Sequence, residues 1–287
     1  MKPPVIIEKS PDHGFCCGVK RAIGLLEKAA GAAGKIETLG PVVHNQQVVE
    51  SLTNRGIRPV SSLHDVTGKV VAVTAHGTDP TTLKTLGARG LEVIDTTCAI
   101  VKSTQKTVSR FAKDGYGIVI FGDPEHTEVK GLLGWSGEKA RATTDASDIA
   151  AWRGMPRRLA IVSQSTQSQA RFREFVKKVL DASLMQLREI HIVNTICKVT
   201  QQRQNSAREL AGRCDLMLVV GGKNSANTRR LAETCSELVE THSIETASEI
   251  RKKWLKGKKH IGIVAGTSTP DEVVDAAAAR LKKLTSA

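Results

Sequence analysis

The sequence predicts an α/β protein: a trefoil of three pseudo-repeated α/β modules, each with a small, mainly parallel sheet. Three observations predict it. Short apolar runs alternate with helical patterns along the chain, three cysteines each stand directly before such a helix, and polar groups follow those cysteines at matching spacings.

The apolar runs are VVAVTA (70–75), YGIVIFG (116–122), RLAIVS (158–163), LMLVVGG (216–222) and IGIVAG (261–266). They are short and β-branched and are bounded by glycine or polar residues, as buried parallel strands are. VKRAIGLLEKAA (19–30) and VTQQRQNSARELAG (199–212) instead space apolar residues by three and four, the period of an amphipathic helix. Strand alternating with helix makes a parallel sheet with covering helices. No long Pro- or Ser-rich linker interrupts the pattern, so the modules pack directly against one another.

The repeat is written in GFCCGVKRAI (14–23), TTCAIVKSTQ (96–105) and TICKVTQQRQ (195–204). Alignment on Cys16, Cys98 and Cys197 puts Val19, Val101 and Thr200 at one offset, and Lys20 with Lys102. Alignment on Cys17 loses both matches, so Cys16 is the repeat member. After each cysteine come a helix, a strand (KIETLG, YGIVIFG, LMLVVGG) and a polar loop. Twenty-eight residues beyond the cysteines stand His44, His126 and Ser225, and two further on Gln46, Glu128 and Asn227. A second strand per copy ends in AHGT with His76, SQSTQS with Ser165 and Thr166, or AGTSTP with Ser268. The modules are therefore read as 1–97 with Cys16, 98–196 with Cys98 and 197–287 with Cys197.

Ligands of parallel α/β sheets sit outside the carboxyl ends of the strands. All these residues fall there, so three modules about a pseudo-threefold axis would bring three thiols to one place. Three thiols without an obvious fourth suit an iron–sulfur cluster with one open iron, or a Cys3His zinc site. The second lacks the usual C-x2-C spacing, and both readings stay open on cysteine positions alone. Histidines and hydroxyls at helix starts suit a phosphate or diphosphate. Glu128 is the single carboxylate there and a candidate proton donor. Cys17, Cys214 and Cys235 lie outside the register and read as packing thiols.

Composition bounds the partners. The net charge of +13 suggests nucleic acid, but lysines and arginines are scattered and aromatics are 3%. A stacking series of the kind single-strand binders use is missing, so nucleic acid is the weaker reading. RKKWLKGKK (251–259) is the one cluster and the candidate contact for an acidic protein partner. Neither an 18-residue apolar run nor a signal-like N-terminus is present, which places the protein in a cytoplasm and away from membranes.

GFCCGVKRAI, LGPVVHNQQVV, AHGT, VIDTTCAIV, HTEVKG, SQSTQS, TICKVTQQRQ, VVGGKNSANTRRLAE and AGTSTPDEVV stand in this order over almost the whole chain. In order and spacing they resemble the 4-hydroxy-3-methylbut-2-enyl diphosphate reductases of the non-mevalonate isoprenoid pathway. The resemblance implies a trefoil around a [4Fe–4S] cluster held by Cys16, Cys98 and Cys197, with the substrate hydroxyl at the fourth iron. It implies diphosphate binding by His44, His76, Ser225, Asn227 and Ser268. His126, Glu128 and a hydroxyl from Ser165 or Thr166 would orient the substrate and deliver protons, with His126 also contacting substrate. The implied reaction is a two-electron, two-proton reductive dehydroxylation to isopentenyl and dimethylallyl diphosphate. Electrons would come singly from a donor such as ferredoxin or flavodoxin. Ala226, Thr127 and Asp79 depart from the family's usual Ser, Pro and Ser, which leaves room for a paralogue acting on another unsaturated diphosphate.

Overall fold

Both inner strands of each sheet are covered by helices, and their residues show it: positions 117–121 and 216–220 are buried throughout. The structure is a computed structural model that describes residues 4–286. The chain opens with β1 (Ile6–Lys9), α1 (Cys17–Ala33), β2 (Ile36–Leu39), α2 (Gln46–Asn54) and β3 (Ile57–Val60). Next come β4 (Val70–Val73), α3 (Pro80–Ala88), β5 (Glu92–Asp95), α4 (Ala99–Lys113) and β6 (Gly117–Phe121). They are followed by α5 (Thr127–Ser136), β7 (Ala140–Thr143), α6 (Ser147–Ala150), β8 (Arg158–Ser163), α7 (Gln169–Ser183) and β9 (Glu189–Ile192). The remainder is α8 (Lys198–Ala211), β10 (Leu216–Val220), α9 (Ala226–Ser236), β11 (Thr241–Ile244), β12 (His260–Ala265) and α10 (Asp271–Thr285).

The strands form three four-stranded sheets in the orders β3-β2-β4-β5, β7-β6-β8-β9 and β11-β10-β12-β1. Every pairing is parallel. In every sheet the chain takes the second place, then the first, then the third, and in the first two sheets it leaves by the fourth. In the last sheet the fourth place is filled by β1, the first strand of the chain, paired Ile6 to His260 through Lys9 to Ile263. The predicted α/β class and repeated parallel sheets are what the chain adopts.

The chain divides into two compact units, residues 1–20, 43–54 and 198–287 in one and 21–42 and 55–197 in the other. The first holds the sheet β11-β10-β12-β1. Its core packs Leu216, Leu218, Ile261 and Ile263 under Val274 and Leu281 of α10, while Met217 and Val219 meet α8 and α9 on the other face. The second unit holds the other two sheets. Around β6 and β8, Val119 and Ile161 face Phe172 and Phe175 of α7, and Ile118 and Ile120 face Val108 and Leu132. Val71 and Val73 pack with Leu86 of α3.

These cores leave the carboxyl ends of the strands to polar loops that open helices. After β6 the N-cap of α5 is His126, and after β10 the N-cap of α9 is Ser225, whose hydroxyl oxygen accepts the Thr228 N–H. In the first copy the cap moves by one residue, because Asn45 Oδ1 accepts the Val48 N–H at 3.2 Å. His44 is thereby left outside the helix, and its backbone presses on Gly222 in the same unit. A Cβ at Gly222 would stand 2.0 Å from the His44 carbonyl oxygen. Both partners are main chain, so neither can step aside. Gly222→Ala is expected to cost roughly 3 kcal/mol by overpacking, read by thermal melting, whereas Gly24→Ala, with open space around it, should leave stability equal or slightly raised.

Candidate functional site

Each repeat cysteine stands directly before a helix and is held by the same kind of bond. Cys16 N–H donates to Thr267 O at 3.1 Å, Cys98 N–H to Ala75 O at 3.0 Å and Cys197 N–H to Ser165 O at 3.0 Å. The acceptor is in each case a carbonyl of the loop after the third-place strand, which fixes the cysteine at the carboxyl end of its sheet. Helix starts present unpaired N–H groups that favour anions, and Val19 N–H lies 3.4 Å from Cys16 Sγ. The three repeat cysteines are half-buried. Cys214 and Cys235 are buried, and burial pushes their thiols up to about 11 and about 12, which suits packing and not ligation. Cys17 is exposed. Among the described residues no three His, Cys, Asp or Glu side chains are grouped around a single metal ion.

In the unit of residues 21–42 and 55–197, Glu128 is 2% exposed in the first turn of α5. Ser165 holds its carboxyl twice, through N–H to Oε1 at 2.7 Å and Oγ to Oε2 at 2.6 Å. Burial raises the Glu128 pKa and outweighs these two bonds, which act to lower it. The carboxyl therefore keeps its proton to higher pH than an ordinary glutamate. His126 Nδ1 accepts the Glu128 N–H at 3.2 Å, so its proton resides on Nε2. His76 meets His126 edge to face at 5.7 Å and lies 3.3 Å, through Nδ1, from the Thr74 hydroxyl.

This geometry separates the two hydroxyls of SQSTQS. Ser165 serves Glu128, whereas Thr166 Oγ1 accepts from Gln164 Nε2 at 2.9 Å. Gln164 is fully buried, and its Oε1 takes the Asp123 N–H at 3.1 Å. The sequence reading passed over Gln164; a polar residue directly after a buried strand was its only signal. Asp79 and Thr127, singled out from the sequence, are each accommodated locally. Asp79 caps α3, accepting from Thr82 N–H at 2.9 Å and Thr82 Oγ1 at 2.6 Å, and α5 begins at Thr127 behind the His126 cap.

In the unit of residues 1–20, 43–54 and 198–287, the His44 backbone abuts Gly222, Ser225 N–H donates to the Gly222 carbonyl, and Ser268 follows Thr267, whose carbonyl accepts the Cys16 N–H. Asn227 Nδ2 and Oδ1 and Ser268 Oγ are buried with no protein partner. Such groups are rare in native proteins unless something binds them. Burial lowers the His44 pKa, and the nearby Arg229 charge lowers it further. Arg229 was not among the residues read from the sequence, although it stands one turn after Ser225. Ala226 is buried at the start of α9 and offers no hydroxyl.

A family model described as LytB protein matches residues 7–282. The chain is 45% identical over 278 residues to a protein of Dehalococcoides mccartyi (strain CBDB1) named 4-hydroxy-3-methylbut-2-enyl diphosphate reductase, covering 97% of this chain and 98% of that one. A protein of the same name from Pelobacter propionicus is 40% identical over 274 residues, with 94% and 95% covered. Among solved structures, an (E)-4-hydroxy-3-methyl-but-2-enyl diphosphate reductase described as the terminal enzyme of the non-mevalonate pathway is 37% identical. It has a TM-score of 0.69 and covers 97% of this chain and 99% of its own. The E-1-hydroxy-2-methyl-but-2-enyl-4-diphosphate reductase of Plasmodium falciparum is 26% identical, with a TM-score of 0.89 and coverage of 95% and 86%. On the extent of these matches, the chain belongs to the LytB protein family.

Proposed function

We propose that this chain is an iron–sulfur oxidoreductase that reductively dehydroxylates 4-hydroxy-3-methylbut-2-enyl diphosphate to isopentenyl and dimethylallyl diphosphate. The observation that carries the reading is Glu128: a buried carboxyl held by Ser165 in a family whose members are named for this reaction. Two electrons and two protons enter, the allylic C–O bond breaks and water leaves.

The donor set fits a cluster, since the three repeat cysteines share one backbone setting and the two buried thiols do not. Cys16, Cys98 and Cys197 would hold it, and a bound [4Fe–4S] cluster supplies single electrons and a Lewis-acidic iron. The chain's own side chains do the rest. Glu128, whose protonated form is favoured by burial, delivers a proton to the departing oxygen, and Ser165 keeps it aimed. His126, with its proton on Nε2, donates a hydrogen bond to substrate; His76 stands beside it. Asn227 and Ser268 have open hydrogen-bonding capacity for diphosphate oxygens, and Ser225, whose oxygen is engaged by Thr228 N–H, retains its proton to donate. His44 joins them from α2's approach. Thr166 remains a second hydroxyl source beside Ser165. The modules 1–97, 98–196 and 197–287 are retained as the units of the repeat, with β1 completing the sheet of the last. Ala226, which removes one hydroxyl donor, favours a second reading in which a related unsaturated diphosphate is the substrate.

Among the described residues no helix is long and apolar enough to cross a membrane, and a cytoplasmic location is part of the proposal. The electron donor is a one-electron carrier such as ferredoxin or flavodoxin. The RKKWLKGKK lysines lie before β12, and the loop that holds Cys16 lies after it. Six strand residues separate them by about 20 Å, so the donor is better placed elsewhere.

Anaerobically purified protein is expected to carry about four iron and four sulfide per chain. Cys98→Ser should lose cluster and turnover while Cys17→Ser keeps both; zinc in place of iron, or a fully active Cys98→Ser protein, would sink the assignment. Turnover should fall as pH rises through the raised Glu128 pKa, because the proton-bearing form is the active one. Glu128→Gln is expected to lower the rate by about 10²–10⁴ and to remove that alkaline limb. Product formation from the butenyl diphosphate, measured against other unsaturated diphosphates, decides between the two substrate readings. Reversing Lys252, Lys253 and Lys256 to Glu should leave donor-supported turnover within about twofold; a tenfold loss would restore that patch as the donor contact.

A further inference from the structure

The bonds that precede the three cysteines are alike in two copies and different in the third. Two residues before Cys98, Thr96 Oγ1 donates to Val73 O at 2.6 Å. Two residues before Cys197, Thr195 Oγ1 donates to Ser163 O at 2.5 Å and accepts the Ser163 N–H at 2.8 Å. A threonine thus straps each cysteine loop to the end of the strand beside it. Two residues before Cys16 stands Gly14, which has no side chain to do this. Its φ of +77° disfavours one, and a Cβ there would displace the Asp271 carboxylate, 2.2 Å away.

The missing strap is supplied from α8. Arg203 is 5% exposed. It donates through Nη2 to Gly14 O at 2.6 Å and through Nη1 to Ala265 O at 3.0 Å, with His13 O at 3.5 Å from Nη2. Ala265 occupies in β12 the place of Ser163 in β8, two residues before the loop carbonyl that binds the cysteine. The guanidinium therefore joins the same two segments that Thr195 joins in its own copy. The run it restrains is also the longest, since seven positions separate the end of β1 from Cys16, against three after β5 and five after β9. A longer run has more conformations to lose when it is ordered. A planar fork with two spaced donors bridges two carbonyls, and a lysine ammonium cannot reproduce that span.

We propose that Arg203 is the positioning residue of Cys16, doing for that thiol what Thr195 and Thr96 do for Cys197 and Cys98. The inference rests on the reading of Cys16 as a cluster ligand, but the strap itself is testable without the cluster. In metal-free protein in a Cys17→Ser background, alkylation by iodoacetamide is followed separately at Cys16, Cys98 and Cys197 by peptide mass spectrometry. Arg203→Met is expected to speed Cys16 alkylation about tenfold, the opening that follows loss of a hydrogen bond from a charged donor, with Cys98 and Cys197 unchanged. Arg203→Lys should restore part of the protection, and Thr195→Val should shift the effect to Cys197. In reconstituted protein, Arg203→Met should bleach faster than wild type when iron is chelated. Equal alkylation of Cys16 in variant and wild type, or a rise at all three cysteines together, would overturn the proposal. Failure of wild-type protein to take up iron and sulfide would remove the ligand reading and leave the alkylation result to decide the strap.

Discussion

The peptide N–H of each repeat cysteine donates to a carbonyl across the end of a sheet, and the placing of each thiol depends on that bond. A cysteine on a free loop would sample many positions, and a cofactor would have to order it at the moment of binding. Here the order is supplied in advance by parallel strands whose carboxyl ends lie side by side, each with a loop carbonyl aimed at the next segment. The straps at Thr96, Thr195 and Arg203 act on the residues just before the thiols. The same backbone logic is thus executed with two kinds of side chain, according to how far the chain must travel from strand to cysteine.

The sheets can hold such loops because their inner strands are buried on both faces. Residues 117–121 and 216–220 spend all their side chains on apolar contact, which leaves the strands rigid and the polar work to the loops. Helices then begin where those loops end, and their caps do more than stop a helix from fraying. His126 caps α5 and so faces Glu128; Ser225 caps α9 and so stands beside Asn227. Capping residues are side chains whose oxygen or nitrogen already points at backbone N–H groups, and a site for an anionic substrate asks for the same direction. The carboxyl of Glu128 is the exception, an acid enclosed where its charged form is disfavoured. That enclosure favours its protonated form.

Much of this was legible in the amino-acid sequence. The inner strands announced themselves as Val- and Ile-rich runs, and all five quoted runs lie within two residues of their observed strands at both ends. The edge strands did not: IIEK, EVID and EIHI are half-exposed, so their apolar residues are too few to mark a strand. For the same reason β1 gave no sign that it completes the sheet of the chain's other end. Cys16, Cys98 and Cys197 were found by register, and their shared backbone setting agrees with that register. Register pointed to Ser165, with Thr166 beside it as a second hydroxyl, and the structure shows Ser165 bonded to Glu128 while Thr166 bonds Gln164.

The sequence by itself determined the class of fold, the threefold repeat and the residue types at each strand end, because hydrophobic period and spacing are local properties of a chain. Tertiary structure decided what distance along the chain conceals. It brought β1 beside β12, His44 against Gly222, Ser165 under Glu128 and Arg203 under the Cys16 loop. Each of these contacts joins residues separated by tens to hundreds of positions and rests on burial and hydrogen-bond direction, which no local pattern encodes.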